Sequence, residues 1–130
     1  MLGCSTGDQT VIAEAAVAEF HRRLNADGFE AIYDSASTDF RKSAPREHVV
    51  RFLAGLKSNL GPAKSAKRLT WNVNFHTSGT FVAISYETRF GKGRGIEHFL
   101  YRMEDSGASL VSYRIESVEV IEKRPDGEGS

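Results

Sequence analysis

The chain has 130 residues and a mass of 14.3 kDa, which is the size of one domain and enough to bury a core without disulfides or structural metal. Its composition is 40% hydrophobic and 26% charged, which excludes disordered, collagen-like and coiled-coil chains. The 17 basic and 17 acidic residues cancel, so the charge balance favours neither nucleic acid nor an anionic membrane surface as a partner.

The N-terminal sequence Met1-Leu2-Gly3-Cys4-Ser5 is followed by a short polar stretch. Leu-Gly-Cys-Ser resembles the end of a bacterial lipoprotein signal peptide, where a small residue precedes the cysteine that receives lipid. This pattern predicts lipid on Cys4, a flexible linker over residues 1–9, and anchoring on the periplasmic side of a bacterial cell envelope. The alternative is a plain thiol at the frayed terminus of a cytoplasmic protein. At the other end, residues 123–130 are polar and rich in glycine, and we expect them to be disordered.

Three helices are predicted in the N-terminal half from apolar residues spaced three or four apart. The first covers residues 10–26, and the second is short and begins with Asp27 as its N-cap. Residues 37–41 are too few and too polar for a helix, and we predict a brief edge strand there. The third helix has Pro45 in its first turn and ends at Gly61-Pro62.

A sheet is predicted from residue 66 onward, where apolar and polar residues begin to alternate. Ser78-Gly79 is typical of a two-residue hairpin turn, which would place Trp71 opposite Tyr86 on the apolar face. The basic residues of this first strand, near Lys67, are predicted to protect its exposed edge. The glycine-rich segment that follows the second strand joins two strands, so we interpret it as a hairpin and not as a phosphate-binding loop.

The last two predicted strands cover residues 96–104 and 108–122, which gives four long antiparallel strands and one short strand. Both faces of 96–104 are apolar, because aromatic side chains alternate with Ile96 and Leu100. One face can pack on the helices, and the other needs a further part of this chain or a partner to shield it from water. We expect a second copy of the chain to contact Ile96 and Leu100, or alternatively the C-terminal tail or a loop to lie there.

Several short patterns, taken in order, carry a resemblance to a known superfamily. They are Ala15-Ala16 through Phe20, Asp27-Gly28-Phe29 with Tyr33, Phe40-Arg41-Lys42, Leu60-Gly61, Ser65 through Arg68, Tyr86 through Phe90, Glu97, and Ser112 through Ile115. Together they resemble the nuclear-transport-factor-2-like (cystatin-like) superfamily, and within it families of unknown function among secreted bacterial proteins and lipoproteins. The likeness spans most of residues 10–118 but departs at His48, Val49 and Leu110, where such families usually carry tryptophan.

The resemblance implies an α+β domain over residues 10–122, in which three helices pack on a curved antiparallel sheet that forms a cone with an open end. It implies no particular chemistry, because this fold hosts enzymes, binding proteins and assembly modules alike. We expect an exported domain that binds a small apolar ligand or a protein partner, with no cofactor, metal or nucleic acid. The alternatives are a small isomerase, hydrolase or cyclase, and a dimerisation module. The expected pocket lining is Phe20, Tyr33, Phe52, Trp71, Tyr86 and Tyr101.

Enzymes of this superfamily use a carboxylate base in the cone together with tyrosine or acid donors. By position, the candidates here are Asp39, Tyr33, Tyr86 and Tyr101, and then His98. The competing interpretation is that Asp39 faces solvent and that the tyrosines fill the core with satisfied hydroxyl groups. Because no pattern makes these residues converge, no catalytic residue is assigned.

Overall fold

A computed structural model describes residues 6–105 and 107–120 as helices followed by an antiparallel sheet, which confirms the predicted α+β class. The helices are α1 (Thr6–Asn25), α2 (Phe29–Ser35), α3 (Thr38–Ser43) and α4 (Arg46–Leu60). The strands are β1 (Ala63–His76), β2 (Gly79–Phe90), β3 (Gly93–Glu104) and β4 (Gly107–Val120). Cys4 and the predicted tail over 123–130 lie outside the described residues. No helix in the described part is both long and apolar enough to span a membrane.

The prediction of a short strand over residues 37–41 is wrong, because residues 38–41 belong to the helix α3. Ser37 is its N-cap, and the Ser37 side-chain oxygen accepts a hydrogen bond from the backbone N–H of Phe40 at 3.2 Å. The backbone N–H of Ser37 donates to the carbonyl of Leu110 at 2.9 Å, which fixes the start of α3 against β4. The described chain therefore has four helices where three were predicted, and four strands where five were predicted.

The starts of all three predicted helices also change. α1 begins at Thr6, four residues earlier than predicted, so residues 6–9 are helical. Asp27 is not the N-cap of α2, because Gly28 occupies that position. Asp27 lies in the turn that leaves α1, with a φ of 62°, and its carboxylate accepts a hydrogen bond from the Nζ of Lys57 at 2.6 Å. Pro45 lies one residue earlier than predicted, as the N-cap of α4.

The sheet is open and its strands follow chain order, β1-β2-β3-β4. The first hairpin pairs Trp71 with Ile84 and closes at His76 and Gly79, so the predicted register was wrong by two residues. The turn lies one residue earlier than predicted, and this moves the pairs from Thr70 to His76 by two positions, up to an irregularity between Arg68 and Thr70. A shift of two residues keeps each side chain on its predicted face, because side chains alternate with a period of two.

The face of the sheet that packs on the helices, called the inner face here, holds the core. α1 contacts all four strands, and the alternate residues of β2 from Val82 to Phe90 are buried against it. The opposite, outer face contains Ile96 and Leu100, which are half-buried. Among the described residues, no helix packs on that face.

The inner side of β1 near the hairpin is covered only in part. Trp71 is 49% exposed and Phe75 is 60% exposed. The guanidinium group of Arg68 lies 3.9 Å from the Trp71 ring centroid and also forms an ion pair with Glu14 at 2.6 Å. Arg68 therefore links Trp71 to α1, through a cation–π contact with the Trp71 ring and an ion pair with Glu14.

Gly61 supports a test of how α4 ends. Its φ is 82°, and an added Cβ would lie 3.2 Å from the Cα of Gly91. Because the left-handed conformation is strained for alanine and the clash is with backbone, Gly61→Ala should lower the free energy of unfolding by about 1–2 kcal/mol. Gly55→Ala is the matched control. Its Cβ would meet nothing within 4 Å inside a helix, so it should raise stability by about 1 kcal/mol. Urea unfolding measures both, and two changes of the same sign would contradict this account.

Candidate functional site

A fully buried carboxylate, that of Glu97, lies on the inner face of β3. The Thr88 hydroxyl donates a hydrogen bond to Oε1 at 2.5 Å, and the Tyr113 hydroxyl donates to Oε2 at 2.7 Å. Nε2 of His21 lies 2.7 Å from Oε1. We call these residues the Glu97 cluster. Both carboxylate oxygens have partners, which compensates for the loss of hydration on burial.

Four elements of the fold bring the Glu97 cluster together. Thr88, Glu97 and Tyr113 lie on β2, β3 and β4, and the register places all three on the inner face. His21 lies on α1, one turn beyond the buried Val17. Sequence reasoning missed Glu97 as a site residue, although Glu97 lies on the same face of β3 as Phe99 and Tyr101. Strict alternation along β3 would have predicted a buried carboxylate there.

The tyrosines around the cluster are held in their neutral form. Burial, and after it the charge of Glu97 and the hydrogen bond to it, raises the pKa of Tyr113 well above its usual value. Burial and the charges of Glu97 and Tyr86 also raise the pKa of Tyr101. Burial, followed by the nearby Glu14, raises the pKa of Tyr86 to about 12. Each of these hydroxyl groups therefore keeps its proton to a higher pH than an ordinary tyrosine does. The buried Tyr101 hydroxyl has no hydrogen-bond partner among the described residues.

A mainly apolar pocket of about 310 Å³, called the main pocket here, lies beside the cluster. It is lined by residues of all four helices and of β4: Phe20, Ile32, Phe40, Ser43, Ala44, His48, Val49, Phe52, Leu53 and Tyr113. Phe52 is 50% exposed. Tyr113 connects the pocket to the cluster, because it lines the pocket and its hydroxyl binds Glu97. The hydrogen bond to Glu97 thus fixes one wall of the pocket.

A second, smaller pocket of about 170 Å³ lies between α1, α2 and the ends of β3 and β4. Phe20 and Ile32 line both pockets, so these two side chains form the partition between them. Arg23 crosses the polar side of the smaller pocket, with Nε 2.9 Å from Glu19 and Nη1 donating to the Ser35 hydroxyl at 2.5 Å. The smaller pocket is therefore bordered by paired charges, whereas the main pocket is not.

The residues predicted to line one pocket are spread over several places. Phe20 and Phe52 line the main pocket, and Phe20 and Tyr101 line the smaller one. Tyr86 is buried in the core with its ring edge-on to Phe99, and it lines neither pocket. Tyr33 and Trp71 also lie outside both. Trp71 is on the exposed part of β1, whereas Tyr33 is buried beneath α3 and donates a hydrogen bond to the carbonyl of Arg41 at 2.8 Å.

The candidate catalytic residues do not form one group. Asp39 is 59% exposed on α3, and Nη2 of Arg102 lies 3.4 Å from its carboxylate. Tyr86 and Tyr101 lie near Glu97 on the inner face, away from solvent. His98 is on the outer face, with Nε2 3.4 Å from the carboxylate of Glu116. The carboxylate that the structure surrounds with donors is Glu97.

The described residues were also compared with the requirements of a metal site. Within residues 6–105 and 107–120, no group of three or more histidine, cysteine, aspartate or glutamate side chains is arranged to hold one. A dimer through Ile96 and Leu100 stays a prediction.

The sequence was compared with protein-family models and with curated proteins. No protein-family model matches the chain, and no curated protein matches it significantly. The fold and the two pockets are therefore the basis for any statement about function.

Two conservative substitutions test the polar core. Tyr113→Phe removes a donor from a buried carboxylate, which should lower the free energy of unfolding by about 1.5–3 kcal/mol. Tyr101→Phe removes a hydroxyl group that has no partner among the described residues. It should leave stability within about 0.5 kcal/mol of the parent or raise it. Urea unfolding measures both. A larger loss for Tyr101→Phe than for Tyr113→Phe would show that the hydrogen bonding is assigned wrongly.

Proposed function

We propose that this domain binds a small, largely apolar ligand in the main pocket. The observation that carries the proposal is the pocket itself, a space of about 310 Å³ walled mostly by aliphatic and aromatic side chains. Sites for small molecules span about 300–1,000 Å³ and share this apolar lining with a few polar groups. The polar groups here come from Ser43, His48 and Tyr113.

Two features favour ligand binding over an incidental gap. Phe52 faces solvent with half of its surface although it lines the pocket, and a ligand that covered it would remove apolar area from water. Tyr113, which also lines the pocket, is held by Glu97 and packs against Phe20, with ring centroids 4.7 Å apart. A wall that is already ordered reduces the entropy that binding must overcome.

The proposal includes a place for this domain, the bacterial cell envelope, with a lipid on Cys4 as its anchor. The sequence order Leu2-Gly3-Cys4-Ser5 supports the anchor. Four helices followed by an open antiparallel sheet support a cystatin-like cone. In such a cone the main pocket corresponds to the space between helices and sheet, where a ligand from the envelope would enter.

The Glu97 cluster favours a second candidate function, an isomerase, hydrolase or cyclase that uses this carboxylate for acid–base chemistry. A carboxylate beside an imidazole and a phenol is the group such a reaction needs. However, Glu97 has no exposed surface, and both of its oxygens are engaged. The main pocket is lined by Tyr113 and not by Glu97. Ligand binding is therefore the better supported function.

Dye binding tests the main pocket. N-phenyl-1-naphthylamine fluoresces in apolar surroundings, and Phe52→Ser should weaken its binding at least about tenfold, because a buried aromatic contact contributes on the order of 1.5–3 kcal/mol. Phe75→Ser is the matched control, since Phe75 is a similarly exposed phenylalanine that lines neither pocket. It should leave the dye affinity unchanged. Equal effects of the two substitutions, or none from Phe52→Ser, would contradict the proposed site.

The lipid anchor has its own test. Protein expressed in bacteria from its complete reading frame should partition into the detergent phase of a Triton X-114 separation, because acyl chains transfer favourably into micelles. Cys4→Ser should move it to the aqueous phase, whereas Ser5→Ala, which keeps the thiol, should not. Detergent partitioning that survives Cys4→Ser would refute the anchor and leave the pocket proposal untouched.

A further inference from the structure

A depression of about 300 Å³ lies at one end of the outer face, away from both pockets. We call it the basic basin. It is lined by Ser65, Ala66, Lys67, Glu87, Arg89 and Arg94. These residues come from β1, β2 and β3, so the basin is built on a rigid sheet.

The strand register explains why the charges converge. Ser65 lies opposite Arg89, Arg89 lies opposite Arg94, and Lys67 lies opposite Glu87. Residues directly opposite in an antiparallel sheet project from the same face, a few ångströms apart. Two arginines in directly opposed positions repel each other, which costs stability unless a negative charge lies between them. The sheet therefore brings Lys67, Arg89 and Arg94 together around the single carboxylate of Glu87.

The charges within the basin are only partly neutralised. Nη1 of Arg94 lies 3.2 Å from the carboxylate of Glu87, so these two form an ion pair. Lys67 and Arg89 are exposed, and Glu87, which lies directly opposite Lys67, is already paired with Arg94. The three basic side chains that line the basin thus outnumber its one carboxylate, and this excess of positive charge lies beside the Ser65 hydroxyl.

We propose that the basic basin binds a phosphate-bearing anion. The Arg89 guanidinium offers two parallel N–H donors that match two phosphate oxygens. Lys67 adds a point charge, and the Ser65 hydroxyl adds a further donor. A phosphate group near neutral pH carries one to two negative charges, about what Lys67 and Arg89 together supply. Phosphate on a free small molecule and phosphate in a lipid headgroup present the same chemistry to this site.

The basin does not depend on the proposed function, because it shares no residue with the main pocket. The glycine-rich hairpin next to Arg94 is not the source of the site, since no helix N-terminus follows it. The site is a cluster of side chains on paired strands.

The experiment uses the full chain carrying Cys4→Ser, so that no acyl chain contributes. Sodium phosphate is added at constant ionic strength, balanced with sodium chloride, and backbone amide shifts are followed by NMR. Saturable shifts are expected at residues 65–67 and 87–89. The double variant Lys67→Gln/Arg89→Gln should weaken this binding at least tenfold. Lys42→Gln/Arg51→Gln, which removes two exposed cations from α3 and α4, should not.

Vesicles separate the two sources of phosphate. Sedimentation with vesicles of equal parts phosphatidylglycerol and phosphatidylcholine is compared with sedimentation with phosphatidylcholine alone. Saturable binding of inorganic phosphate that requires Lys67 and Arg89 supports a small phosphate-bearing ligand. Binding only to the phosphatidylglycerol vesicles, with the same requirement, supports a headgroup. The proposal is overturned if neither probe depends on these two residues, and amide spectra of the double variant outside the basin verify that it folds.

Discussion

A carboxylate with no access to water is the constraint on which this structure depends. Glu97 lies in the middle of the sheet, and an unpaired charge there would cost several kcal/mol, on the order of a large part of a small domain's stability. The chain meets this demand with donors on β2 and β4 and with an imidazole on α1. Those contacts fix the position of α1 over the sheet more specifically than apolar packing does, because hydrogen bonds have direction.

The ordered core and the open pocket follow from the same arrangement. Tyr113 is directed inward by its hydrogen bond to Glu97, so its ring is not free to fill the space beneath α4. The aromatic side chains around it, Phe20 and Phe99, pack at centroid distances of 4.7 and 5.1 Å and complete a rigid floor. The main pocket lies between this floor and side chains of all four helices. The hydrogen bond between Tyr113 and Glu97 thereby helps to keep the main pocket open at the edge of the core.

Sequence periodicity predicted the class of fold and most of the element order, because helices and strands with one buried face carry strong repeats. It failed at α3, where six residues are too few to show a period and the decisive feature is a single cap contact from Ser37. It also misplaced the first hairpin by two residues, since a shift of two leaves the pattern of faces unchanged. The site was harder to predict. Asp39 was a candidate because of its position in the chain. The hydrogen-bond partners of Glu97, in contrast, lie from 9 to 76 residues away in the sequence, and no local pattern shows that they meet.

The position of Trp71 has a practical consequence for spectroscopy. It is the only tryptophan in the chain, it lines neither pocket, and half of its surface is in water under the guanidinium of Arg68. Intrinsic tryptophan emission therefore reports on the edge of the sheet near the first hairpin and on the contact between that edge and α1. A ligand that fills the main pocket would leave this emission unchanged, and a silent fluorescence titration is no sign that the pocket is empty.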